Sequence, residues 1–154
     1  MTDDIEKIRA IATPLLAAAP TAGAAGVAAF APRPEDYARV FNATIAPAME
    51  LHFSALWART PEITAHAEQT ELQLWSARAD QLGGESPGFP GGYKALAPHL
   101  VPDRIWSAWK YVRPGTTLGM AYDGLVWLDD RFVWFPKPWR ALKDGKSTAG
   151  IYVD

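Results

Sequence analysis

The sequence predicts an α+β domain in which N-terminal helices pack on a curved antiparallel sheet of about four strands. Three observations carry this. Apolar residues recur at spacings of three and four through the first third of the chain, from residue 70 the period falls to two, and the segments around Asp129-Asp130 pair as a hairpin with two apolar faces. At 154 residues the chain makes one domain, with 1–60 mainly helical, 70–140 mainly strand and 141–154 a C-terminal tail or edge strand.

Ile5, Ile8, Ile11, Ala12, Leu15 and Leu16 fall on one stripe of a first helix over Asp4 to Ala18, with Pro14 inside it. Pro20 to Pro34 reads as a loop of small residues. Pro34-Glu35-Asp36 then opens a short helix, because proline suits the first turn and carboxylates suit the positive end of the helix dipole. Ile45, Met49, His52, Phe53, Leu56 and Trp57 make a third helix that ends before Thr60-Pro61.

Thr70 to Trp75 alternates as a strand, Ser76 to Leu82 reads as a short helix, Gly83 to Gly92 as loop, and "YKALAPHL" as a turn or two of helix. Ile105 to Arg113 and Thr117 to Leu128 are strands broken at Pro114-Gly115, and Arg131 to Phe135 follows the Asp129-Asp130 turn. Partners across that turn sum to 259. Trp127 faces Phe132 and Leu125 faces Trp134 on one side, while Val126 faces Val133 and Gly124 faces Phe135 on the other. Asp123-Gly124 is either a second tight turn or a glycine bulge in one long strand. The bulge is favoured, since a turn would leave strands of four residues, and a bulge bends the sheet.

This element order, with the segments "GLVWLDDRFVWFPKPWRAL" and "GYKALAPHL", resembles the NTF2-like, or cystatin-like, α+β superfamily, and its uncharacterised bacterial members in particular. The resemblance implies a curved sheet closing around helices as a cone with a pocket. Such cones host enzymes, binding domains and assembly modules alike.

Composition narrows the function. A net charge of −2 with no basic run offers phosphate backbones no attraction, so nucleic acid is not an expected partner. The absence of cysteine removes disulfides and thiolate chemistry and suits a cytoplasmic protein. The uncharged stretch Ile11 to Ala31 is poor as a signal or membrane segment. Asp3, Asp4 and Glu6 outnumber Lys7 and Arg9 ahead of it, and Pro14, Pro20, Gly23 and Gly26 interrupt it, so no membrane association is expected.

Several short motifs fail on chemistry. Gly84-Glu85-Ser86-Pro87-Gly88 matches the serine-hydrolase pattern, but Pro87 has no N–H to give to an oxyanion hole. Gly145-Lys146-Ser147 lacks the first glycine of a phosphate-binding loop, since position 140 is arginine, and His66-Ala67-Glu68 has no cysteines to complete a zinc site. His52, His66 and His99 show no metal-ligand spacing, and neither a metal nor a cofactor is expected.

The residues left are aromatic and cationic. In "FVWFPKPWRAL", Pro136 and Pro138 should stop the last strand and hold Phe135 and Lys137 extended as a stiff rod. Trp139 then either plugs the end of the core or joins Lys137 and Arg140 at the mouth of a pocket lined by Trp109, Tyr111, Trp127 and Trp134, where a small apolar or anionic ligand would dock. Asp123 and His99 are the two candidates for acid or base work, should the pocket be catalytic. The leading expectation is a non-catalytic binding module. The alternatives are an assembly protein that dimerises through the sheet face and a pocket enzyme.

Overall fold

The computed structural model describes residues 2–142. Helix α1 (Thr2–Ala28) is followed by α2 (Asp36–Val40), α3 (Ala46–Trp57), β1 (Glu71–Arg78), α4 (Tyr93–Leu96), β2 (Ile105–Val112), β3 (Gly119–Trp127) and β4 (Phe132–Trp134). The strands form an antiparallel meander in the order β1-β2-β3-β4, a curved, open sheet. The expected α+β architecture is therefore the observed one. The C-terminal tail or edge strand expected over 141–154 lies almost wholly outside the described residues.

Alternation along the strands separates two cores. Ile105, Trp109, Tyr111, Leu125, Phe132 and Trp134 face α1, whose Ile8, Ala12, Leu16, Ala19 and Val27 are buried against them. Trp106, Val126, Leu128, Val133 and Phe135 face the other way and pack with α2, α3 and α4 through Val40, Phe41, Met49, Phe53, Tyr93 and Leu96. Both faces of the hairpin are apolar because both are covered by helices.

The hairpin register is as expected, with Leu125 opposite Trp134, Val126 opposite Val133 and Trp127 opposite Phe132. Asp129 takes the left-handed conformation the turn needs (φ 70°), and the Phe135 N–H bonds to the Gly124 carbonyl at 2.7 Å. Arg39 and Arg104 both pair with the Asp129 carboxylate, and Arg131 reaches the fully buried Asp36 at the start of α2. Asp36 also accepts the Arg33 N–H at 2.7 Å.

Three expectations need correction. Helix α1 does not stop at Ala18 but runs to Ala28, broken at Gly23 (φ 68°), where a loop had been expected from Pro20. Pro20 has no N–H to give to the Leu16 carbonyl, and the Tyr111 hydroxyl donates to that carbonyl instead, at 2.5 Å. The alanines around it favour helix, and Val27 and Phe30 anchor its far end in the core. The buried stripe is also narrower than the periodicity suggested, for Ile11 and Leu15 are 43% and 44% exposed.

The second correction is at Ser76. Strand β1 continues to Arg78, because Ser76 to Arg78 pair with Ser107 to Ile105 and the Ser76 and Ser107 hydroxyls bond at 2.8 Å; only Ala79–Gln81 forms a turn of 3-10 helix. The third concerns the proline pair. Lys137 is left-handed (φ 48°) and not extended, and residues 139–142 are helical, so the segment bends sharply where a rod had been expected.

By length and composition Asp4–Ala28 could cross a membrane, but it lies along the sheet with its inner stripe in the core.

Candidate functional site

The site begins with the bulge in β3. Tyr122 lies opposite Trp109 and Leu125 opposite Ser107, so Asp123 and Gly124 together stand opposite Ala108 alone. The extra residue turns Asp123 off the α1 face, where strict alternation would put it with Leu125, and aims its carboxyl at α4. Gly124 is required there. Its φ is 89°, and a Cβ would stand 2.0 Å from the Phe135 carbonyl oxygen.

Asp123 is 4% exposed. Its Oδ1 accepts the Tyr93 hydroxyl at 2.8 Å and the Lys137 N–H at 2.9 Å. The second bond holds Lys137 in its left-handed conformation, and the Lys137 carbonyl in turn accepts the Arg140 N–H at 3.1 Å, starting the helical turn beyond. Trp134 reaches the same residue from the other face, its indole N–H donating to the Asp123 carbonyl at 2.8 Å.

Burial pushes the Asp123 carboxyl above its ordinary range, against the lowering pull of the Tyr93 and Lys137 hydrogen bonds and of the Lys137 and Arg140 charges. The Tyr93 hydroxyl is held well above 10 by burial first and by the neighbouring Asp123 second. The pair is thus a neutral phenol donating to a carboxyl that protonates more readily than a surface aspartate.

Beside this pair lies a cleft of about 310 Å³. One wall is the end of the sheet, with Ala121, Tyr122, Asp123, Trp134, Pro136, Lys137 and Arg140, and the other is His52 and Leu56 of α3 with Pro61 and Glu62. Tyr122 is fixed by Thr64, whose N–H it accepts at 2.8 Å and whose carbonyl it donates to at 2.9 Å. The cleft thus has an aromatic wall, two cations at one side and a buried carboxyl.

The residues singled out from the sequence divide among several places. Asp123, Trp134, Lys137 and Arg140 come together in the cleft. Trp109 and Tyr111 lie behind it in the α1 core, both buried, with Trp109 stacked on Tyr122 at 5.6 Å. Trp139 packs on the opposite core, its ring 5.3 Å from that of Tyr93 and against Gly92, where a Cβ would meet the indole at 2.4 Å. Trp127 lines a separate groove of about 360 Å³ between the start of α1 and the turns at Asp103 and Asp129. His99 ends a 3-10 turn, its carbonyl accepting the Asn42 N–H at 2.8 Å, and does not line the cleft.

Tyr93, His52, Glu62 and Tyr122 were not singled out as site residues. His52 lay on the recognised stripe of α3 and Tyr122 beside the suspected bulge, so both carried a signal. Nothing local marked Tyr93 as the partner of a residue thirty positions away. Among the described residues no three His, Asp or Glu side chains gather as a metal-binding group. No family model, curated protein or solved structure matches the chain.

Proposed function

We propose that the protein is a binding module whose cleft takes a small organic anion with a flat apolar body. The observation that carries this reading is the meeting of Lys137 and Arg140 with Trp134 and Tyr122 around one cleft. Cations draw the charged end of such a ligand and aromatic faces take its body. The volume, about 310 Å³, suits a single-ring compound. The NTF2-like resemblance belongs to the same proposal, as helices leading into a bent meander with a cleft at its mouth, and so does a cytoplasmic setting.

The test is a titration of benzoate, phenylacetate and indole-3-acetate against benzamide and benzylamine, followed by tryptophan fluorescence and calorimetry. The carboxylates should bind at or below about 1 mM, close to −4 kcal/mol, and the neutral and cationic analogues at least tenfold more weakly. Lys137→Ala and Arg140→Ala should each weaken benzoate binding. Equal binding of amide and acid would remove the reading.

A second reading, self-assembly, draws support from the exposed Ile11 and Leu15 on an outer face of α1 that carries no charge from Ala10 to Pro32. With helices on both sides of the sheet, that face replaces the sheet face as the surface for a dimer. Sedimentation of the parent and of Leu15→Glu measures it, and a parent that stays monomeric at high concentration rejects it.

A further inference from the structure

We infer that the cleft takes up its organic anion together with one proton, which lies between the ligand carboxylate and Oδ2 of Asp123. This rests on the anion-binding reading above and adds what must enter with the ligand.

The geometry is specific to one oxygen. Both the Tyr93 hydroxyl and the Lys137 N–H meet Oδ1, and among the described residues no hydrogen-bond donor reaches Oδ2. Asp123 lines the cleft with Lys137 and Arg140, whose charges act on its carboxyl. A ligand carboxylate drawn to those two cations therefore arrives beside a second carboxylate in a small, partly desolvated site. Two carboxylates so placed cannot both stay ionised, and sharing one proton turns the repulsion into a short O–H···O bond. The step balances as two carboxylates and one proton giving one hydrogen-bonded acid–anion pair, with no covalent bond to carbon made or broken. Burial, which already raises the Asp123 carboxyl, makes the proton easier to recruit.

Asp123 is faced from every side by groups with defined roles. Tyr93 of α4 is a neutral donor, Lys137 and Arg140 are cations, and Trp134 supplies an indole N–H to its carbonyl. Across the cleft stand His52 and Glu62, each of which needs its own control, and the cleft wall also carries the Tyr122 hydroxyl, which is engaged by the Thr64 backbone.

Calorimetry of benzoate binding in buffers of different ionisation enthalpy counts the protons. The parent should take up close to one proton per benzoate at pH 7, and its affinity should rise about tenfold per pH unit as pH is lowered from 8 toward the Asp123 pKa. Asp123→Asn keeps a carbonyl oxygen for Tyr93 and Lys137 but removes the titration. It should bind benzoate at pH 7 at least tenfold more tightly than the parent, without pH dependence, while His52→Gln and Glu62→Gln keep the parent's slope. A parent that binds benzoate with no proton uptake overturns the inference and leaves the anion reading standing, as does a slope that survives Asp123→Asn and vanishes in His52→Gln. If neither the parent nor Asp123→Asn binds any carboxylate between pH 5 and 8, the anion reading fails and this inference falls with it. Should Asp123→Asn not fold, the proton count on the parent alone decides.

Discussion

Trp106 and Trp109 sit three residues apart on β2, one in each core, and both are almost wholly buried. Their polar ends fare differently. The Trp109 N–H donates to the Tyr111 hydroxyl at 3.1 Å, and that hydroxyl passes the interaction to the Leu16 carbonyl that Pro20 left without a donor. Trp106 is ringed by Phe41 at 6.1 Å, Tyr93 at 5.7 Å and Phe135 at 6.5 Å, and among the described residues its N–H has no partner. An unpaired buried N–H costs about 1–3 kcal/mol, whereas burying an indole of 150–250 Å² is worth about 4–6 kcal/mol. Packing therefore outweighs the orphan at Trp106, while on the other face the same residue type is part of a chain that also repairs a helix. Tryptophan content alone says nothing of this division.

The comparison breaks first under truncation. Trp106→Ala and Trp109→Ala should each cost about 3–5 kcal/mol in denaturant melts, since both leave large cavities. A loss below 1 kcal/mol at either would mean that its core is not packed as described.

Tyr111→Phe sharpens it. The change strands both the Trp109 N–H and the Leu16 carbonyl, and should cost about 2–4 kcal/mol although it removes a single oxygen. Pro20→Ala restores a helical donor to Leu16, so it should recover part of that loss in the double variant, a coupling that a double-mutant cycle measures. Strict additivity would show that the hydroxyl does not stand in for the proline's missing N–H.

A smaller effect separates Asp123 from both. Its folded pKa lies above the unfolded value because of burial, so the folded state holds the proton more strongly. The stability it contributes is present in full below the unfolded carboxylate pKa and is lost as pH rises through the raised folded value. Asp123→Asn should thus gain on the parent as pH rises from 4 to 7, read from melts across that range. A gain that shrinks with pH would reverse the assignment.

The smallest effects test the unpaired indole and the cleft's rim. Trp106→Phe removes the orphan N–H with the least loss of ring area and should stay within about 1.5 kcal/mol of the parent. Lys137→Ala and Arg140→Ala should shift stability by no more than about 1 kcal/mol, leaving their effect on ligand binding readable.

What the sequence determined by itself is local in cause. The register of the last hairpin follows from a two-residue turn and a period of two, the bulge from one glycine between apolar positions, and α3 from its spacing of three and four. In each case neighbours within a dozen residues dictate the geometry, the bulge through the Asp123-Gly124 pair in a segment too short to be split by a turn. The rest needed partners far along the chain. Helix α1 passes Pro20 because Tyr111 supplies a donor from ninety-five residues away, β1 outlasts Trp75 because Ser107 and Trp106 pair with it, and Lys137 turns left-handed before a proline because Asp123 captures its N–H. The aromatic set expected in one pocket was divided by the sheet itself, because alternation sends Trp109 and Trp134 to one core while the bend after β4 carries Trp139 to the other. A sequence pattern states which groups want a partner. Only the folded chain decides which of them meet, since the free energy of a hydrogen bond or a ring contact depends on a distance that chain order does not contain.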